Sequence, residues 1–294
     1  MNVMVRPRHV AAFPGIAAAT VLPQPERSVL LGMPQLSGVG LSESWLLKEL
    51  GHRHWMDLAK AAGMDAPDFR DDMGQPVYAA FCAIRIEGAR FDLAKENGRL
   101  AIVTSLSRVS RTQVLSRHAL VIDGTPAGTV EMVSAFVKRT GSSNHSIARV
   151  SIGGLTPVDP SGSDLPGLAA SFRSRRISRH FGFDIAGAGE EGPVYGFDPC
   201  PAQDFNGAGF LYFTSFLGFV DRAEWQHERN LAAPLQMREV HYYGNVDVGE
   251  RLRVVLLGSQ PCSRWWQVRV NETDALLADV FTRRAPGCYG LGLT

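Results

Sequence analysis

The sequence predicts an α+β protein made of two similar halves, each a long apolar helix wrapped by an antiparallel sheet. Three observations lead there. First, "LSESWLLKELGHRHW" and "DFNGAGFLYFTSFLGFVDRAEW" each open with small and polar residues and run into a long apolar stretch. Second, each is followed by several β-branched and apolar runs of strand length. Third, short matches recur in the same order in both halves. Gly38, Gly40 and Arg53 return as Gly207, Gly209 and Arg222, each 169 positions later. Gly88 and Arg90 return as Gly249 and Arg251, 161 later, and "SAFVKR" returns as "DVFTRR", 145 later. The offset only falls, as it does when loops are longer in the first half.

The first helix is expected around Leu41, Trp45, Leu50, His54 and Leu58, which follow one side, with Leu46 and Leu47 widening it. In the second half Phe210, Leu211, Phe213, Phe216, Leu217, Phe219 and Val220 cover almost every side, so this helix is expected to be buried and to start at the turn Asp204–Gly207. Strands are expected at Val77–Ile86, Leu100–Ser107, Gln113–Ile122 and Thr129–Val137, then Val240–Val246, Arg251–Leu257, Trp265–Val270 and Leu276–Thr282. Asn97-Gly98 and Asp123-Gly124 are hairpin turn signals. One helix wrapped by an antiparallel sheet is the hot-dog arrangement. Two copies make a double hot-dog fold, whose sheets can join at the centre. The expected division is an N-terminal arm at 1–33, a first domain at 34–152, a linker at 153–198 and a second domain at 199–294. "GGLTPVDPSGSDLPG" has linker composition.

Composition excludes several classes. A chain of 294 residues with 45% hydrophobic residues can bury a large core. A net charge of +1 gives no general attraction to nucleic acid or to an anionic membrane. No apolar run reaches the ~18 residues of a transmembrane helix. The apolar stretch from Val10 to Leu22 is broken by Pro14 and Gly15 and reads as an arm, not a signal peptide. Cys82, Cys200, Cys262 and Cys288 show no metal-ligand spacing, so a reduced, cytoplasmic protein without a structural metal is expected. His52 and His54 are two apart and do not share a helix face. No phosphate-binding glycine loop is present, and no cofactor is expected.

On those two long motifs the chain resembles the double hot-dog biosynthetic proteins typified by the bifunctional acyltransferase/decarboxylase of leinamycin biosynthesis. The resemblance runs from about Pro34 to the end and leaves the N-terminal arm outside. It implies an enzyme that takes a malonyl-type acyl-CoA, typically methylmalonyl-CoA, and leaves a decarboxylated acyl thioester on an acyl carrier protein in polyketide biosynthesis. It also implies a catalytic tyrosine in the first half. Tyr78 in "GQPVYAAFCAIRI" is the one tyrosine there. A homodimer is compatible with this reading.

The chemistry holds together without the family. Decarboxylation of a malonyl thioester places negative charge on the thioester oxygen, which N–H groups at a helix N-terminus can meet. On this view Gly38, Gly40, Ser42, Gly207 and Gly209 approach the substrate, and Asn206 donates from its amide. Tyr78 either donates its O–H or carries the acyl group as an ester. A carboxylate at Asp204 is the alternative, serving a hot-dog thioesterase or dehydratase as base or nucleophile. Asp204, Asn206 and Ser42 equally suit helix caps. Arg176, in "SFRSRRISRHF", can meet coenzyme A phosphates or an acidic carrier-protein helix, or simply be solvated. A non-catalytic module that binds acyl chains or carrier proteins is the third reading.

Overall fold

The computed structural model describes residues 20–21, 28–150, 162–187, 192–229 and 233–286. Helix α1 spans Glu43–Ala61. Four strands follow: β1 at Tyr78–Glu87, β2 at Arg99–Arg108, β3 at Gln113–Ile122 and β4 at Thr125–Arg139, with a short β5 at Ile147–Arg149. Helix α2 covers Leu165–Arg173, and β6 covers Val194–Phe197. A single turn, α3, at Pro201–Asp204 precedes α4 at Phe213–Glu228. The chain then forms β7 at Leu235–Tyr242, β8 at Leu252–Gln260, β9 at Ser263–Val270 and β10 at Leu276–Arg284.

One antiparallel sheet carries both halves, in the order β2-β3-β4-β1-β7-β10-β9-β8-β6. The halves join where β1 pairs with β7, from Met237↔Glu87 to His241↔Ala83. Both long helices pack on one face. Leu46, Leu47 and Leu50 of α1 share a core with Phe216, Phe219 and Val220 of α4 and with Ile84, Ile86, Val240 and Trp266 of the sheet. Gly51 lets the helices meet: a Cβ there would stand 2.9 Å from Cε1 of Phe213.

Three expectations change. The second long helix does not start at the Asp204–Gly207 turn. It begins at Phe213, because the intervening residues fold back through a Phe205↔Leu211 bridge. The strand expected at Val240–Val246 runs from Leu235 to Tyr242. Its charged residues concealed it: Arg238 and Glu239 are 1% and 0% exposed, and their charges are met inside. Arg238 pairs with Glu43 and Asp221, and Glu239 with Arg85.

The stretch expected to link the halves has structure of its own. Leu165 and Ala169 of α2 pack with Ala83, Val133 and Ala135 on the sheet face away from α1 and α4. β6 pairs with β8 at the sheet edge. The linker residues 153–161, most of the N-terminal arm and Cys288 lie outside the described residues. Among the described residues no helix is long and apolar enough to cross a membrane.

Candidate active site

β1 carries an irregularity between Phe81 and Ala83, and its pairing with β7 stops at Ala83. Tyr78–Cys82 therefore hydrogen-bond to β4 on one side only. On the other side a cleft of about 710 Å³ opens between the two halves. Its wall joins α1 (Gly51, His52, His54, Trp55), the start of β1, the Asn206–Phe213 segment and the loop after β7.

The Asn206 turn is held rigidly. Asn206 Oδ1 accepts from the N–H groups of Ala208 and Phe210 at 3.0 and 3.1 Å. Asn144 donates to the carbonyls of Gly209 and Val246, both at 2.7 Å. Arg139 donates to Asn144 Oδ1 and to the Ala208 carbonyl, and its guanidinium lies 3.9 Å over the Phe210 ring. Asn245 accepts from Leu211 N–H and donates to its carbonyl. Among the described residues no acceptor meets Asn206 Nδ2, and Asn206 lines the cleft. The Tyr78 ring meets Phe210 edge-on at 5.5 Å, so the two expected groups, Tyr78 and Asn206, share one cleft.

Helix α4 starts at the same wall. Its N-cap residue Tyr212 is extended and supplies no side-chain cap. Tyr212 N–H donates to the Asp204 carbonyl, and Ser215 N–H to the Tyr212 carbonyl. Among the described residues no acceptor meets the N–H groups of Phe213 and Thr214. Phe213 lines the cleft, so the positive end of the helix dipole lies at this wall.

The other expected site residues have structural work. Asp204 is buried, and its carboxylate accepts from Cys200 N–H at 2.8 Å while its carbonyl also accepts from Ser215 Oγ. It does not line the cleft. Ser42 caps α1, accepting from Trp45 N–H at 3.3 Å. Gly40 has φ +110°, and a Cβ there would stand 2.1 Å from the Phe91 carbonyl oxygen, so its glycine serves packing. Gly38 is exposed in the hairpin before α1, away from the cleft. Gly207 lines the cleft. Gly209, at φ +75°, lies behind it against Arg139. From the basic stretch it is Arg173, not the exposed Arg176, that reaches the cleft.

Several cleft groups had no sequence signal. His54 is fully buried, with Nδ1 on Ser116 Oγ at 2.8 Å and Nε2 on Ser134 Oγ at 2.7 Å. The chain continues through Ser116 to His118 Nε2 at 3.0 Å and from His118 Nδ1 to Thr104 at 2.9 Å. Burial pulls both histidines down to about 3, so both are neutral. His54 and His52 both line the cleft despite their spacing of two. Burial pushes the Cys82 and Tyr212 side chains up, which keeps both protonated. Among the described residues, no Asp or Glu lines the cleft.

A second polar cluster lies on the opposite sheet face. Glu239 Oε1 accepts from His180 and His241 Nε2, both at 2.7 Å, while Arg85 holds Oε2 at 2.6 Å. The two histidines and Glu239 could ligate a cation, but the Arg85 guanidinium on the same carboxylate opposes one. His145, Asp247 and Glu250 form a more exposed group.

No protein-family model matches the chain, and no curated protein matches it. Solved structures do. An acyl-ACP thioesterase from Bacteroides thetaiotaomicron superposes with TM-score 0.62 at 11% identity, covering 88% of this chain and 96% of that one. The 12:0-ACP thioesterase from Umbellularia californica gives TM-score 0.61 at 10% identity over the same shares. At that identity the likeness is one of fold: this chain has the α+β hot-dog fold, with two long helices against one antiparallel sheet.

Proposed function

We propose that the chain acts on an acyl thioester in this cleft, as an acyltransferase/decarboxylase that moves a malonyl-type acyl group, such as methylmalonyl, from coenzyme A to an acyl carrier protein and releases carbon dioxide. One observation carries the reading. Tyr78 and Asn206 offer neutral donors in a cleft whose described lining holds no carboxylate. Decarboxylation needs donors for an enolate oxygen and no base. Hydrolysis needs a group to activate water, and with no carboxylate in the described lining that task would fall to its histidines, His52, His54 and His145.

In this reading the thioester oxygen lies toward Tyr78 Oη and Asn206 Nδ2, with the N-terminal end of α4 at Phe213 adding to the field. The bond from Cα to the carboxylate breaks, and carbon dioxide leaves. The electron pair passes to the thioester oxygen as an enolate. A proton from water then adds to Cα, giving the propionyl group from methylmalonyl. For transfer, the carrier thiol attacks the thioester carbonyl, and the coenzyme A sulfur leaves. Whether the thiol attacks directly or after a Tyr78 ester is a question of order within the same site. The division into a first domain at 34–152 and a second at 199–294 belongs to the same proposal.

The test incubates the protein with methylmalonyl-CoA and a holo carrier protein, followed by intact mass of the carrier. A propionyl adduct is expected. Free acid and free coenzyme A without any carrier adduct would favour a thioesterase, the activity named for both solved neighbours. Binding of an acyl-carrier protein with no turnover would favour a non-catalytic module.

A further inference from the structure

Arg149 stands in a row with the expected catalytic tyrosine. Tyr78 on β1 pairs with Val137 on β4, and Val137 pairs with Arg149 on β5. Residues directly opposite on neighbouring strands project to the same face, and adjacent strands lie about 4.8 Å apart. Tyr78 and Arg149 thus rise from one sheet face on either side of Val137, with backbones about 10 Å apart. All three line the cleft. Arg173, from the last turn of α2, reaches the same wall and donates to the Tyr242 carbonyl at 3.4 Å.

These guanidiniums are singular in their setting. Both are exposed at the mouth, and among the described residues neither forms an ion pair with a carboxylate. Both line the cleft together with Cys82, and their charges oppose the upward push of burial on its thiol. The surrounding wall is apolar: Ala135, Val137, Phe210 and Phe213. A guanidinium is charged at every physiological pH, and its planar fork matches a carboxylate or phosphate.

We propose that Arg149 and Arg173 form an anion subsite at the cleft mouth, which binds an anionic group of the thioester substrate beside Tyr78. This rests on the acyl-thioester reading of the cleft and names the residues that would set its specificity. The anion has two chemical sources: the free carboxylate of the acyl group, or the phosphates of coenzyme A.

The test measures binding of four probes by calorimetry: malonyl-CoA, propionyl-CoA, malonyl-pantetheine and propionyl-pantetheine. The proteins are the unmodified chain, Arg149→Gln, Arg173→Gln and the two lysine variants. Because both side chains are exposed, the variants should fold. Loss of one charge-assisted contact should weaken binding about tenfold. If the anion is the acyl carboxylate, both malonyl probes lose affinity and both propionyl probes do not. If it is phosphate, both coenzyme A probes lose affinity and both pantetheine probes do not. Lysine should restore part of the loss. Equal affinities of the glutamine variants and the unmodified chain for all four probes would overturn the subsite and leave the acyl-thioester reading standing. Failure of the unmodified chain to bind any probe would overturn that reading and the subsite with it.

Discussion

The buried pair His54 and His118 should make the protein sensitive to mild acid, and His118→Gln isolates that effect. His118 is 0% exposed, and among the described residues its ring nitrogens bond only to the hydroxyls of Thr104 and Ser116. In the unfolded chain its pKa is 6.5, and folding lowers it to about 3. Its contribution to stability is therefore complete above pH 6.5 and is lost as pH falls toward 3, because only the unfolded chain takes up the proton. The slope is about 1.4 kcal/mol per pH unit once well below 6.5. Between pH 7 and pH 5 this one group costs about 2 kcal/mol. Glu43 works the other way, since burial raises it to about 7 and its protonation favours the folded state on acidification. Burial of His241 adds to the loss. The comparison of variant with wild type cancels both. Urea unfolding at the two pH values should show His118→Gln losing about 2 kcal/mol less than wild type on going from pH 7 to 5. Identical losses would refute a neutral buried His118.

Other perturbations follow from the same geometry. Gly51→Ala places a methyl 2.9 Å from the Phe213 ring, so it should destabilise by about 1–3 kcal/mol in urea unfolding despite alanine's better helix propensity. Asp204→Ala removes the acceptor of Cys200 N–H and should cost about 1–2 kcal/mol. Asp204→Asn keeps an oxygen there, so its turnover per folded molecule should stay within a few-fold of wild type. A loss of about 10³-fold in that variant would restore a catalytic role for the carboxylate.

The two helices and the sheet were legible because burial leaves periodic apolar runs, and because the repeat has a backbone cause. Gly88 and Gly249, matched in the sequence, both adopt positive φ, at +61° and +97°, where a side chain is strained. β7 was misplaced because sequence patterning treats Arg238 and Glu239 as surface, and their partners on α1, β1 and α4 are distant in the chain. The same limit applies to the site. Asn206 and Tyr78 stood out by local chemistry. The Arg139–Asn144 clamp, the His54 chain and the row Tyr78–Val137–Arg149 arise from strand register, which no short stretch encodes. Asp204 drew attention as a carboxylate beside a glycine turn, yet that position also suits a backbone cap, which is the work it performs here.

The central claim is that Tyr78 lies where the thioester reacts, and Tyr78→Phe tests it most directly. The change removes one hydroxyl and keeps the ring that meets Phe210, so folding should be unaffected. Carbon dioxide release from methylmalonyl-CoA in the presence of holo carrier protein should fall by about 10²-fold or more, as on removing an oxyanion donor. If the hydroxyl also carries the acyl group, wild type given acyl-CoA alone should gain the acyl mass on the peptide containing Tyr78, and the phenylalanine variant should not. A folded Tyr78→Phe protein that releases carbon dioxide within a few-fold of the wild-type rate would contradict the account.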